Sequence, residues 1–210
     1  MLYGHAGRFA AARVAAARSR SLLAGFGAKL ALAYGAFPAG QIELTAGDPA
    51  AAERRWREGY EAFRAMGEWG HHAFFAALLA EALYAQGRLD EAQQLTEEAQ
   101  AAAVPDDLTP HALWRATRAK VLARRGQFAA ARRLVDEAEA LTSQTCRAQW
   151  VGEVLVAKAE VNRLAGSPDQ AAASLRAALR IYEDRQAAPL AEQARAALAD
   201  VAAHPGNAPS

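Results

Sequence analysis

A glycine recurs along the chain at a nearly constant spacing, and this recurrence constrains the fold more than any other feature of the sequence. Its occurrences lie 40, 40, 39 and 40 residues apart, at Gly7, Gly47, Gly87, Gly126 and Gly166. A fixed period of about 20–50 residues is typical of solenoids, in which each repeat packs only on its neighbours. We therefore expect a row of similar units.

Small residues occupy further columns in the same register. The column five residues after the glycine contains only alanine, at Ala12, Ala52, Ala92, Ala131 and Ala171. Small residues also fill the columns twelve residues after the glycine and seven residues before it. The columns five and twelve residues after the glycine are about two helical turns apart, so they share a helix face. Small residues on that face allow neighbouring helices to pack closely.

Each recurring glycine is expected to separate two helices, which we call the first and second helix of a repeat. A left-handed residue commonly ends a helix, and glycine adopts that conformation at low cost. Asp48-Pro49 and Ser167-Pro168 are typical of an N-cap followed by proline, and Ser167 with Gln170 also fits a capping box. Pro38 should kink or break the helix around it.

The second helices are expected at about residues 8–23, 49–65, 88–103, 128–141 and 168–183. The first helices are expected at about residues 29–46, 71–86, 110–125, 148–165 and 189–203.

The composition favours an all-α fold and disfavours several classes of function. Of the 210 residues, 52% are hydrophobic, and many of these are alanine, a strong helix former. The formal net charge of +1 gives no support for a nucleic-acid footprint. The apolar stretch at residues 21–40 contains Lys29 and several glycines, so a membrane segment is not expected. A single cysteine, Cys146, fits a reducing compartment, and we expect a cytoplasmic protein.

The stretch YAQGRLDEAQQLTEEA, at residues 84–99, resembles the turn and second helix of the tetratricopeptide repeat. That family has a usual period of about 34 residues, whereas the period here is near 40. More narrowly, AGDPAAAERRWREGYEAFRAMGE and AEVNRLAGSPDQAAASLRAALRIYE resemble the C-terminal repeat region of bacterial class III adenylate/guanylate cyclases with an AAA-type ATPase module.

The resemblance implies a right-handed α-solenoid of about five helix pairs. It would form one domain over residues 1–203, with an incomplete N-terminal repeat and a disordered tail at 204–210. It also implies a non-catalytic scaffold that binds a protein or peptide, as the sensor or regulatory module of a signalling ATPase, cyclase or transcriptional regulator. We expect the chain to be part of such a longer architecture, or to cover its N-terminal face with a partner.

In tetratricopeptide solenoids, partners bind in a concave groove lined by the first helices. Carried over to this chain, the groove columns lie six, three and two residues before the glycine. The residues selected from them are Gln41, Glu81, Tyr84, Lys120, Arg124, Glu160 and Arg163. Two interpretations remain open. The charges are solvated and partly paired with one another, or Lys120, Arg124 and Arg163 clamp a peptide carboxylate.

The sequence predicts no catalytic, cofactor or metal site. It contains neither a G-x-x-x-x-G-K-[ST] nor an H-E-x-x-H motif. His71 and His72 are adjacent, so on a helix they point about 100° apart, and no further ligand lies at helix-face spacing. Cys146 has no histidine near it in sequence and is expected to be a small buried residue.

A helical-repeat nucleic-acid binder is the alternative function. Its stacking platform would use the tryptophans Trp56, Trp69, Trp114 and Trp150. The near-neutral charge disfavours this alternative, because phosphate contacts normally dominate such binding.

The helix expected at residues 8–23 has no preceding partner helix. It carries the apolar residues Phe9, Val14, Leu22 and Leu23. A repeat contacts only its neighbours, so nothing else in the chain is expected to cover this face. We expect the isolated chain either to self-associate through residues 1–30 or to fray there.

Overall fold

The computed structural model describes residues 4, 6–144 and 148–204, and the regular structure within them is entirely α-helical. The helices are α1 (Phe9–Gly25), α2 (Lys29–Tyr34), α3 (Ala36–Thr45), α4 (Pro49–Met66), α5 (Trp69–Ala85), α6 (Leu89–Ala102), α7 (Leu108–Arg124), α8 (Phe128–Ser143), α9 (Ala148–Leu164), α10 (Pro168–Asp184) and α11 (Ala188–Ala203). The all-α prediction is therefore confirmed. Within these residues, no helix combines the length and apolar character that a membrane crossing needs.

The helices pack in sequence order, as a helical solenoid requires. Contacts divide the chain into two compact units, Met1–Val104 and Pro105–Ser210. In the first unit, α3, α4, α5 and α6 each pack on the next, and α1 contacts α2 and α3. In the second unit, α7 to α11 pack consecutively, and α7 also contacts α9. The single domain predicted at 1–203 stays a prediction, and the predicted tail beyond residue 204 lies outside the described residues.

The same turn ends most of these helices. All five recurring glycines have positive φ, between 69° at Gly166 and 86° at Gly47. After α3, the Gly47 N–H donates to the Leu44 carbonyl at 3.0 Å and the Asp48 N–H donates to the Glu43 carbonyl at 2.9 Å. This is the Schellman pattern, which satisfies carbonyls that the helix end leaves open. The turns after the second helices α1, α4 and α10 use it too, with glycine at 27 and 67 and, without glycine, at Gln186 (φ 54°). Helix α6 ends instead with an extended Ala103.

The small columns lie mostly in the interior, with Ser19 and Ala199 at the ends of the chain exposed. The alanine column is buried throughout its length: Ala12 is 4% exposed, and Ala52, Ala92, Ala131 and Ala171 are 0% exposed. A Cβ atom added at Gly59 would overlap the Phe75 ring, and one added at Gly40 would overlap Trp56. Close helix approach therefore explains why these columns hold small residues.

The predicted helix bounds agree with the structure to within two residues, with one division. The helix expected at 29–46 is broken at Gly35 into α2 and α3. Pro38 lies in the first turn of α3, where its missing N–H is tolerated. A continuous helix would instead bring its ring against the carbonyl of Tyr34, four residues earlier, so the predicted break is confirmed.

The two predicted N-caps behave differently. The Asp48 side chain accepts a hydrogen bond from the Ala51 N–H at 2.8 Å, as predicted. Ser167 makes no side-chain capping bond, so the predicted capping box with Gln170 is wrong. The hydroxyl of Ser167 instead accepts a hydrogen bond from Arg132 Nη2 at 2.7 Å, because α8 brings that guanidinium beside it.

Candidate functional site

In the first unit, the predicted groove residues lie on first helices. Gln41 is on α3, and Glu81 and Tyr84 are on α5. Gln41 and Glu81 are half-buried, whereas Tyr84 is only 8% exposed. Tyr84 therefore offers a partner little surface.

In the second unit, the structure pairs two of the predicted groove charges. Arg124 Nη2 on α7 lies 3.3 Å from Glu160 Oε1 on α9, with the side chains 50% and 23% exposed. Lys120 is buried at 6% exposure, and Arg163 is half-buried. The pairing favours the interpretation in which groove charges neutralise one another, and the three-cation clamp stays a hypothesis.

A second groove, absent from the sequence analysis, lies between α8 and α10 with α9 as its floor. It forms an open cavity of about 460 Å³. Its polar lining consists of Arg132, Asp136 and Glu139 from α8, Lys158 and Asn162 from α9, and Gln170 and Ser174 from α10. The volume falls within the usual range for small binding pockets, roughly 300–1,000 Å³. We call this the α8–α10 groove.

Lys158 holds the two carboxylates of the α8–α10 groove. Its Nζ lies 2.7 Å from Asp136 Oδ1 and 2.6 Å from Glu139 Oε2. Burial lowers the pKa of Lys158, but the hydrogen bonds and charges of Asp136 and Glu139 outweigh burial, so the pKa is raised. The ammonium therefore stays protonated and is already shared between two acceptors.

Arg132 and Asn162 are two groove residues whose side chains keep unused hydrogen-bonding groups below the exposed rim. Arg132 Nε is buried and has no hydrogen-bond acceptor among the described residues. Asn162 is only 4% exposed, and within the described part of the chain its side chain makes no hydrogen bond. A buried polar group without a partner costs about 1–3 kcal/mol, and native structures usually satisfy it with protein, water or ligand.

The first unit contains a groove in the same register, between α1 and α4 over α2 and α3, and there the arginine is satisfied. Arg13 lies six residues after Gly7, as Arg132 lies six after Gly126. Arg13 Nε donates to the two carboxylate oxygens of Glu43 at 3.0 and 3.1 Å, and Nη2 donates at 2.6 Å. This groove, which we call the α1–α4 groove, encloses only about 110 Å³.

Among other differences in their lining, the two grooves carry different residues in the column four before the glycine. Glu43 lies four residues before Gly47, and Asn162 lies four residues before Gly166. Where the α1–α4 groove has a carboxylate facing its arginine, the α8–α10 groove has a neutral amide. The repeat pattern did not indicate this site, because residue sizes and first-helix columns say nothing about which charges meet between helices. A comparison of the residues six after one glycine with those four before the next would have indicated it, because Arg13 is matched there by Glu43 but Arg132 by Asn162.

A buried polar cluster in the first unit involves His72, which is 1% exposed. His72 Nε2 lies 2.8 Å from Glu98 Oε1, and Nδ1 lies 3.3 Å from the Tyr60 carbonyl oxygen. The Tyr60 hydroxyl donates to the same Glu98 oxygen at 2.8 Å. Burial, together with the hydrogen bond to Glu98 and its charge, raises the pKa of Tyr60 to about 12. The cluster joins α4, α5 and α6 and is internally hydrogen-bonded.

The adjacent histidine points elsewhere. The His71 ring stacks on Phe63 with centroids 4.7 Å apart and planes at 14°. Among the described residues, no three His, Cys, Asp or Glu side chains are grouped to hold a metal ion. Cys146 lies outside the described residues.

Three of the four tryptophans are interior. Trp56, Trp114 and Trp150 are 0%, 2% and 4% exposed, and only Trp69, at 56%, presents its ring to solvent. A base-stacking platform needs exposed ring faces, which the three buried tryptophans lack.

The comparisons with known proteins identify the fold only. No family model matches the chain, and no curated protein matches it by sequence. The structure is similar to the crystal structure of BtubC (BKLC) from P. vanneervenii, with a TM-score of 0.59 and 18% identity. The match covers 96% of this chain and 94% of that one. At this identity, the likeness extends to the arrangement of helices and not to function.

Proposed function

We propose that the protein is a non-catalytic scaffold that binds protein or peptide partners through a tetratricopeptide-like solenoid. The solenoid would be right-handed, with about five helix pairs and a period near 40 residues. The proposed setting is cytoplasmic, as the sensor or regulatory module of a bacterial signalling ATPase, cyclase or transcriptional regulator.

The observation that carries the proposal is the repetition of one helix-pair unit. Helices pack in sequence order, the turns after α3, α5, α7 and α9 share a left-handed glycine, and the alanine column is buried throughout its length. In repeat proteins each unit contacts only its neighbours, and the stack presents an extended surface on which partners bind. Paired charges such as Arg124 and Glu160 on neighbouring first helices give that surface a polar character.

Site-specific photo-crosslinking in the cells that produce the protein would test this function. A photoreactive phenylalanine analogue would replace Glu81, Arg124 or Arg163 on first helices, and Glu61 or Glu97 on exposed faces of second helices in the first unit as controls. We expect discrete protein adducts at the first-helix positions, identified by mass spectrometry, and none at the controls. Equal labelling at both sets would contradict the proposal, and nuclease-sensitive adducts would favour the nucleic-acid alternative.

A further inference from the structure

We propose that the α8–α10 groove binds an acidic side chain of a protein partner, with Arg132 and Asn162 as the groups that hold its carboxylate. The proposal takes from the proposed function only the premise that the ligand belongs to a protein. It places a binding site between two second helices and over the first helix α9, on side chains other than the first-helix residues considered above.

The α1–α4 groove is the structural precedent for this site. There, a glutamate carboxylate occupies the space beside the arginine and accepts three hydrogen bonds, all shorter than 3.2 Å. In the α8–α10 groove the arginine keeps its position in the repeat, but Asn162 replaces the glutamate. The amide is shorter and neutral, so space and a donor remain where the carboxylate would lie. The α8–α10 groove also has the larger cavity, about 460 Å³ against 110 Å³.

The charges of the groove favour an anion at Arg132. A guanidinium stays protonated in proteins, so the buried Nε–H of Arg132 remains a hydrogen-bond donor that needs an acceptor. Asp136 and Glu139 already share Lys158. The Asn162 amide can donate a second hydrogen bond to the same incoming carboxylate, and the Ser174 hydroxyl on the opposite wall lines the cavity. A carboxylate between Arg132 and Asn162 would therefore gain charge-assisted hydrogen bonds.

The groove is open enough for a side chain carried by another protein. Asp136 and Ala173, on its two walls, are both exposed. A ligand entering between them would bury its carboxylate while the chain that carries it stays in solvent. Glu43 already shows this arrangement beside Arg13, with the difference that Glu43 belongs to the same chain.

A titration monitored by NMR would test the proposal directly. The probe is a capped five-residue peptide with a central glutamate, and its matched control has glutamine instead. Free glutarate forms a third arm. We expect the glutamate peptide to shift the Arg132 Nε–Hε resonance saturably, and the glutamine peptide to leave it unchanged. A response to glutarate without a response to the peptide would overturn the protein-ligand assignment. No response to any probe would show a merely hydrated groove and overturn the site.

Three variants sharpen the test. Asn162→Glu would recreate the internal pair of the α1–α4 groove, so we expect a shifted Arg132 Nε–Hε resonance in the free protein and loss of peptide binding by about tenfold or more. Arg132→Gln should weaken binding similarly. Arg133→Gln is the matched control, because Arg133 is the next residue on α8 and its side chain is 74% exposed. It should bind within about twofold of the parent protein.

Circular dichroism would confirm that each variant folds before binding is compared. Undiminished binding by a folded Asn162→Glu variant would refute the site. The result is separable from the crosslinking test, because that test probes Glu81, Arg124 and Arg163 on first helices. If the peptide does not bind the groove but the first-helix positions crosslink to protein, the groove proposal fails and the scaffold function remains. If the peptide binds but the first-helix positions give no adducts, the groove proposal remains and the first-helix surface is excluded as the binding surface.

Discussion

At the residue scale, the alanine column determines how closely the helices approach. Ala131 on α8 is 0% exposed and packs with Ala119, Ala123 and Val161 in the core of the second unit. Its neighbour Arg133 faces solvent on the same helix. Two residues that are close in sequence therefore have opposite tolerance for larger side chains.

We expect Ala131→Leu to lower the free energy of unfolding by about 1–3 kcal/mol, because added methyl groups in a packed core force strain. Arg133→Leu, as the control, should change it by less than about 0.5 kcal/mol. Urea unfolding of both variants measures this. Equal damage by the two substitutions would show that the repeat register is wrong.

Gln186 supplies a second residue-scale prediction. It holds φ at 54°, a left-handed conformation that is costly for a residue with a side chain. Gln186→Gly should therefore stabilise the protein by about 0.5–1 kcal/mol, with the flexibility of glycine in the unfolded chain offsetting part of the gain. Arg185→Gly is the control, because Arg185 has an ordinary φ of −90° and should gain nothing. Thermal unfolding of both variants measures the difference, and a destabilised Gln186→Gly would contradict the strain argument.

At the scale of elements, side-chain hydrogen bonds join the helices through their turns. Glu53 on α4 accepts from Arg57 one turn later at 2.6 Å. It also accepts from Gln86 at 2.9 Å and Arg88 at 2.7 Å, both in the turn between α5 and α6. Glu53 lies six residues after its glycine, the same column as Arg13 and Arg132. At Arg13, Glu53 and Arg132, this column therefore hydrogen-bonds a second helix to a residue outside that helix.

The pKa of Glu53 predicts a pH dependence of stability. Burial raises it, but the hydrogen bonds from Arg57 and Gln86 and the neighbouring positive charges lower it further, so the net shift is below the ordinary 4.5. A lowered folded-state pKa means that the stabilisation is present above the unfolded-state value and is lost as the pH falls through the folded-state value.

We therefore expect the free energy of unfolding to fall less steeply in Glu53→Gln than in the parent protein as the pH drops below about 4.5. Glu61→Gln, an exposed position on the same helix, should keep the parental slope. Urea unfolding at a series of pH values between neutrality and pH 3 measures both. Identical slopes for Glu53→Gln and the parent would contradict the role given to these hydrogen bonds.

At the scale of the whole molecule, burial is uneven along the chain. In α1 the only buried residue is Ala12, and Val14 and Leu22 are 70% and 56% exposed. Farther along, Phe26 and Leu30 are 83% and 52% exposed. In α5, by contrast, every residue from His72 to Ala80 is buried. Of the apolar face predicted at the N-terminal helix, Val14 and Leu22 are therefore exposed, whereas Phe9 and Leu23 are half-buried. Self-association through residues 1–30 stays a prediction.

Hydrogen exchange should reveal this gradient. In a dilute monomer, we expect the amides of α1 to exchange much faster than those of α6, because few buried contacts oppose local opening of α1. At higher concentration, protection of α1 should rise if the face self-associates, and a Leu22→Ser/Phe26→Ser double variant should abolish that rise. Equal protection of α1 and α6 in a proven monomer would contradict the prediction.

The sequence by itself determined the helices, their turns and their small interior columns. These features depend on local rules: glycine tolerates positive φ at Gly47, proline ends the helix before Pro38, and a period near 40 keeps Ala52 and Ala92 on equivalent faces. Only the tertiary structure decided which side chains meet. Arg132 Nη2 donates to the hydroxyl of Ser167, which the sequence assigned to a helix cap. Arg132 Nε, in the groove that also contains Asn162, has no acceptor among the described residues. Such pairings depend on the angle and distance between helices, because a side chain is satisfied by what surrounds it in space and not by its neighbours in sequence.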